Sequence, residues 1–554
     1  MKVYQQIAGF LAERGVGEAF VLMGDGNMDL IVALNDRGVR VVRGRHEQNV
    51  IAMADGYARA GRRVGVASVT HGPGLTQIGT PLVCARSAAS PVLVLAGDTP
   101  TFDPDDIQNL DQSALINGLG VTSVRIEHPE AVAPLLSRTW RRLVTRGGPV
   151  VLSIPSDIQH AEAVADGHGA DPLPIAPPTR VIVADHQAVH AAASLIVAAL
   201  RPVVLAGRGA VDAAAGAEIA SLAEHLGAPM VTSLRAAGFL GGHRLAVGVI
   251  GGIGTNLARG IVREADLVLA LGATLNPATT THGKLVEQAR IIQVDTDPES
   301  LGRFANIHMG IVGDARLVAG GLLERLTELR PRGFPDRLAT VTERICQWVR
   351  PQVPTGRSGA VDPRHALRAL DEALSRDRVV VIDGGHFNVF AATEVSVPNE
   401  RAMVWAAELG TVGQGLGTAV GAAIARPGDR VALVCGDGGF LMNPQELDTS
   451  VREGLPIVVF VMNDRGYGQE VHVLAAKGHP DDLARFSTPD LAAIARAFGA
   501  SGHTVASPED LPLLKEWLAG SRGPVVIDVL IDGSIENDTV ANYRSHLRSR
   551  GMCA

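Results

Sequence analysis

Two short segments gather the residue types that hold a diphosphate and a hard cation. One is Val434-Cys435-Gly436-Asp437-Gly438-Gly439-Phe440, the other Met462-Asn463-Asp464-Arg465-Gly466-Tyr467-Gly468. The glycines let the backbone approach a diphosphate closely. The Asp437 carboxylate and the Asn463 side-chain oxygen are hard donors, and the Arg465 carbonyl offers a third. With two diphosphate oxygens and a water they would complete the octahedron that Mg²⁺ requires. Twenty-four residues, 439 to 462, lie between Gly438 and Asn463.

Three further signals lie near the N-terminus. Gly24-Asp25-Gly26-Asn27 follows an apolar run and reads by itself as a turn. Arg45-His46-Glu47-Gln48-Asn49 leads into a helix, where a glutamate at the first turn ordinarily complements the helix dipole. Thr70-His71-Gly72-Pro73-Gly74 is a Gly/Pro loop after another apolar run.

The elements that must position these groups alternate strand and helix. Arg430-Val431-Ala432-Leu433 and Ile457-Val458-Val459-Phe460-Val461 read as buried strands, with a helix expected over residues 443–453 between them. Both cofactor-type segments therefore stand at carboxyl ends of strands in a β–α–β unit, where open parallel sheets bind ligands. Further buried parallel strands are expected at 19–22, 64–69, 91–96 and 149–155, then at 201–206, 267–271 and 290–294. The fold class is α/β, with three consecutive doubly wound parallel-sheet domains over 1–165, 180–330 and 364–554. Linkers are expected at 163–178 and at about 329–363, the latter around one helix. A chain of 554 residues exceeds one core and suits such a division. The first and third units could be duplicates of one fold.

Composition narrows the partners. A net charge of −8 gives no reason to expect nucleic acid or an anionic membrane. The four cysteines are scattered without a CxxC, which fits a reducing compartment such as the cytoplasm and excludes a Cys-rich zinc site. The first fifteen residues read as an amphipathic helix and not as a signal peptide. No apolar run suggests a membrane span. A dinucleotide-dependent dehydrogenase would need a GxGxxG at a first β–α turn, and none is found.

Taken together, these segments resemble the thiamine-diphosphate (ThDP)-dependent enzymes, a family that includes acetolactate synthases, pyruvate and benzoylformate decarboxylases, benzaldehyde lyase and cyclohexane-1,2-dione hydrolase. The resemblance runs through the whole chain. It implies a first domain that binds the aminopyrimidine, a partly structural middle domain and a third domain that binds the diphosphate. Glu47 matches the family's activating glutamate, which shares a proton with the pyrimidine ring; shielding from water would raise its pKa toward that task. Gly72-Pro73-Gly74 matches the GPG loop. Gly410-Thr411-Val412-Gly413 matches the segment under the thiazolium, with Val412 holding the cofactor bent. Gly436, Asp437, Gly438, Gly439, Asn463, Gly466 and Tyr467 fall in the diphosphate segment, with Asp437, Asn463 and Arg465 on Mg²⁺. In the family the glutamate and the metal site come from different subunits, so a homodimer or homotetramer with interfacial active sites is implied.

The implied reaction makes or breaks a C–C bond next to a carbonyl, on a 2-oxo acid or hydroxyketone. Asp25 stands where simple decarboxylases place a proton donor, yet no histidine lies between His71 and His128, so the His-His pair of pyruvate decarboxylase is missing. Ile107-Gln108-Asn109-Leu110-Asp111-Gln112 looks like the FQExD-type segment of acetolactate synthases. Gln108 or Gln112 would then reach the reaction intermediate, or both lie on the surface. His71 resembles a histidine of some lyases. Acetolactate synthase-like carboligation is the leading expectation. A decarboxylase, a hydroxyketone or dione lyase, and a catalytically silent ThDP-fold binding subunit are the alternatives. Some relatives also hold FAD; Gly207-Arg208-Gly209 and residues 251–256 lie where it would pass, and both equally read as tight turns. His386 is expected at the active-site mouth.

Overall fold

The computed structural model describes residues 1–164, 181–330, 332–347 and 360–541. Three six-stranded sheets, every strand pair parallel, follow one another along the chain. The first runs Arg40–Arg43, Glu18–Val21, Gly65–Val69, Val92–Asp98, Val150–Pro155, Thr122–Arg125. The third runs Met403–Trp405, Arg378–Ile382, Arg430–Gly436, Ile457–Asn463, Val525–Leu530, Ser501–Val505. Numbered within each unit, both have the order 2-1-3-4-6-5. The middle sheet runs Met309–Val312, Arg290–Asp295, Leu267–Leu271, Pro202–Ala206, Met230–Thr232, Ala246–Val249, the doubly wound order 3-2-1-4-5-6 read from its other edge. Continuous Val/Ile/Leu runs form the central strands because helices cover both faces and leave no strand face for water.

The largest apolar core is shared between the first and third units. It joins Phe20, Met53 and Val94 to Val381, Leu433 and Val459. At its centre the helix Glu47–Gly61 packs on the wholly buried helix Gly415–Ala425. Their backbones touch: a methyl group on Gly421 would lie 1.9 Å from the Met53 carbonyl oxygen, and one on Gly56 would lie 2.1 Å from that of Thr418. Each fully buried Val, Leu or Phe in such a core contributes about 1.5–3 kcal/mol. The middle unit keeps its own cores on the two faces of its sheet.

Within 443–453, where one helix is expected, the helix Glu446–Arg452 forms, and a further short helix precedes it. Asp437–Met442 starts at the strand end, with Gly436 as its N-cap, and Glu446–Arg452 follows. The break falls at Asn443, whose φ of −142° is not helical, ahead of Pro444, which has no amide hydrogen to donate. The linker expected at 163–178 lies, from residue 165 on, outside the described residues. The second linker holds the helix Pro335–Gln347. Among the described residues no helix is long and apolar enough to cross a membrane.

Candidate functional site

Functional groups collect at the carboxyl edges of the first and third sheets. In the first unit, Glu47 opens the helix Glu47–Gly61, and its side chain is 18% exposed. His46 caps that helix, its Nδ1 accepting from the Gln48 amide. The GPG loop runs beside Glu47: a methyl on Gly74 would lie 3.7 Å from Glu47 Oε1. Gly72 sits at φ 58°, and its amide donates to Gln112 Oε1 (3.2 Å). Gln112 Nε2 donates in turn to the Gly97 carbonyl (2.9 Å). Gln112 is therefore not a surface residue. It is buried, and both ends of its amide hold backbone of the loop and the neighbouring strand. Gln108 is half-buried, with its backbone packed on Gly72. His71 is buried against Gly26, its Nδ1 3.5 Å from Thr70 Oγ1. Asp25 stands exposed on the turn that Asn27 and Gln159 fasten through Gly24 and Gly26.

The third unit builds a tighter cluster. Asp383, at the end of its strand, accepts from the Gly413 amide (2.9 Å) and is 1% exposed; burial pushes its carboxyl up to about 6, against the backbone amides of Gly384 and Gly413–Gly415. Gly439 brings Asp383 and Val412 together: a methyl there would lie 3.1 Å from Asp383 Oδ2 and 3.2 Å from Val412 Cγ1. Asn443 Nδ2 donates to the Gly413 carbonyl (2.8 Å), and its Oδ1 accepts from Asn49 Nδ2 (3.0 Å). The segment carrying Val412 is thus tied to the helix that Glu47 begins.

Asp437 is 1% exposed and accepts from Thr488 Oγ1 (2.9 Å); burial raises its pKa. Asn463 Nδ2 donates to Asp528 (2.8 Å), which turns its Oδ1 the other way, toward the Arg465 amide (3.2 Å). Arg465 adopts φ 59°. Gly438 and Gly466 lie against Tyr467 and the Ala484 carbonyl, and Tyr467 packs edge-on to Phe486. Burial, with the Asp437 charge second, pushes Asp464 up to about 7, and burial pushes Asp528 up to about 6. Three carboxyls that resist ionisation so close together are an environment that a divalent cation would compensate. Among the described residues no three His, Cys, Asp or Glu side chains converge as a metal cage. The expected donor set needs only one of these carboxylates, with an amide oxygen and a main-chain carbonyl, and it fits what is present.

The hydrogen bonds of Gly72, Asp437 and Asn463 all stay inside their own cluster. The first and third units thus each hold one cluster of these groups. His386 departs from expectation. It is buried, and its Nε2 accepts from the Asn537 amide (3.1 Å), because the chain around Asn537 returns across it. Burial, with His472 4.3 Å away between ring centroids, pushes it down to about 3. Gly207 and Gly209 pack directly on Gly272, and Gly251 on the Ala278 carbonyl, so backbone contact accounts for these glycines without a flavin. Asp383, Thr488 and Asn443 were not anticipated. Asp383-Gly384-Gly385 after a strand repeats the Asp437-Gly438-Gly439 pattern, which was the available signal.

Three family models match the chain: the N-terminal thiamine pyrophosphate (TPP) binding domain of thiamine pyrophosphate enzymes over residues 1–115, their central domain over 189–322 and their C-terminal TPP binding domain over 383–529. The acetolactate synthase isozyme 3 large subunit of Escherichia coli (strain K12) is 31% identical, covering 95% of this chain and 94% of its own length. A probable acetolactate synthase large subunit of Methanocaldococcus jannaschii is 30% identical over 96% and 92%. The sulfoacetaldehyde acetyltransferase of Castellaniella defragrans is 29% identical over 94% and 91%.

Proposed function

The chain belongs to the thiamine pyrophosphate enzyme family, in its acetolactate synthase branch, and on that premise we propose that it joins 2-oxo acids by an acetolactate synthase-like, Mg²⁺-assisted carboligation. The observation that carries the site assignment is the pair of clusters, each matching one expected task at the edge where parallel sheets bind ligands. When bound, ThDP supplies a nucleophilic carbon that adds to a carbonyl and stabilises the carbanion left by C–C cleavage. The protein's own work is to bind it, orient it and move a proton.

Glu47, beside Gly74, would hold and return a proton at the pyrimidine ring. Gly72–Gly74, fastened by Gln112, would hold that ring beside the carboxylate. Val412, packed against Gly439, would give apolar support to the cofactor. Asp437, the Asn463 oxygen and the Arg465 carbonyl would hold the cation, and Gly438 would admit the diphosphate. As in the family it resembles, two copies would pair so that the Glu47 edge of one meets the Asp437 edge of the other. The acetolactate synthase names of the aligned large subunits favour 2-oxo acids as substrates. The buried amide of Gln112 supports the same branch by fastening the loop. Asp25, exposed beside His71, is the group that would favour simple decarboxylation instead.

The test uses purified full-length protein with ThDP and Mg²⁺, offered pyruvate, 2-oxobutyrate, benzoylformate and sulfoacetaldehyde, following CO₂ and ligated product together. Acetolactate or a related hydroxyketone is expected. Free aldehyde with CO₂ would replace carboligation by decarboxylation. Binding of ThDP without turnover of any of these would favour a silent binding subunit.

A further inference from the structure

The segment entering the Val412 loop carries an unexplained strain. Leu409 adopts φ 61°, left-handed backbone that a branched, non-glycine residue avoids, and its side chain is 65% exposed. Gly410 follows at φ 74° and Thr411-Val412 come next. Nothing apolar rewards Leu409 for this conformation, so the surroundings must impose it. The residue before it supplies the means. Glu408 is buried at the meeting point of all three units. Its carboxylate lies 2.7 Å from Arg235 Nη2 of the middle unit and 3.7 Å from Arg59 Nη2 of the first. Arg235 Nη2 also donates to the Ser87 carbonyl of the first unit (2.8 Å). The Glu408 carbonyl accepts from Cys84 Sγ–H (3.3 Å) and from Thr411 Oγ1 (3.0 Å). Side chain and backbone of Glu408 are therefore both held, immediately ahead of the strained residue.

We infer that Glu408 is a positioning residue for the cofactor cradle: gripped by Arg235 and Arg59, it keeps Leu409 left-handed and so holds Gly410–Gly413 in the shape that sets Val412 over Gly439. The inference rests on the reading of Gly410–Gly413 as cradle. It gives the middle unit, which contributes no side chain to either cluster, a part in cofactor affinity through Arg235. An ion pair on a buried carboxylate loses most when the cation is removed, because the carboxylate is left uncompensated.

The experiment is calorimetric titration of ThDP, at fixed Mg²⁺, into full-length native protein and its variants, with thermal unfolding measured alongside. Glu408→Gln is expected to weaken ThDP binding about tenfold, equivalent to ~1.4 kcal/mol. Arg235→Met is expected to weaken it similarly, and the double variant by no more than either alone, as for one shared interaction. Leu409→Gly should restore affinity to Glu408→Gln, because glycine takes positive φ without strain. Glu408→Asp should fall between native and Glu408→Gln. Native affinity in Glu408→Gln and Arg235→Met, with only the unfolding temperature lowered, overturns the inference and leaves a domain staple. Failure of Leu409→Gly to restore binding overturns it too. If the native protein itself does not bind ThDP, the cradle reading falls first and the inference with it.

Discussion

The carboxyl edge of the first sheet presents Glu47 beside a glycine loop fastened by a neutral amide, Gln112. The same edge of the third sheet, built on the same strand order, buries Asp383, Asp437 and Asp528 and half-buries Asp464. One scaffold has been furnished twice for opposite electrostatic ends. A single, partly shielded carboxylate among neutral groups is suited to passing a proton. Several desolvated carboxyls together resist ionisation, and a cation would relieve that cost on binding. The difference lies in a few residues at strand ends, not in the sheets.

On that contrast the first edge governs turnover and the third governs retention. The largest effect is expected for Glu47→Gln: kcat falls about 10²–10⁴-fold while ThDP affinity by calorimetry stays within a few-fold of native. An affinity loss matching the rate loss would erase the contrast. Next comes Asp383, whose carboxyl is raised from the ordinary 3.8 to about 6. The unfolded chain releases that proton at lower pH than the native one. Stability from this group is full below the ordinary carboxyl range and is lost as pH rises through about 6. In cofactor-free protein the loss amounts to at most about 3 kcal/mol. Chemical denaturation at pH 4.5 and 6.5 should show it in native protein, and Asp383→Asn should reduce it, leaving the part due to Asp464 and Asp528; an unchanged slope in the variant would assign the dependence elsewhere. Asp437→Ala is expected to cut Mg²⁺-dependent ThDP affinity about 10–100-fold, with the unfolding curve of the cofactor-free protein no worse than native. The smallest effect is expected for Gln112→Ala. It strands the Gly72 amide and the Gly97 carbonyl, lowering stability by about 1–3 kcal/mol. Loss of activity without any loss of stability would instead give Gln112 contact with substrate.

What could be read from the residues was local. Asp437 and Asn463 announce themselves because each follows an apolar run and sits among glycines, so strand end and donor are adjacent in the chain. The three-sheet α/β class followed from the same alternation. Asp383 escaped notice because its role depends on the Gly413 amide, and nothing in the twenty-nine residues between them records that approach. His386 was placed at an open mouth because the return of the chain at Asn537, 151 positions later, is a tertiary event. The 443–453 helix stands as Glu446–Arg452, while the short helix Asp437–Met442 ahead of it went unread for a local reason. Gly436 looked like the end of a turn, while it is the cap from which a helix starts at once, and the weight of Pro444 was missed. The shared strand order of the first and third units required pairing information that no single strand carries.

The backbone contact between the helices Glu47–Gly61 and Gly415–Ala425 has a consequence for how the chain is made. Asn49 and its partner Asn443 are 394 positions apart. At ribosomal rates of about 5–20 residues per second, the first helix waits on the order of 20–80 s for the surface that covers it. During that interval Val50, Met53 and Tyr57, all buried in the finished protein, have no third unit to pack on. The nascent first unit is thus a sticky intermediate by construction. Its yield in a cell should depend on chaperones more steeply than its final stability would suggest.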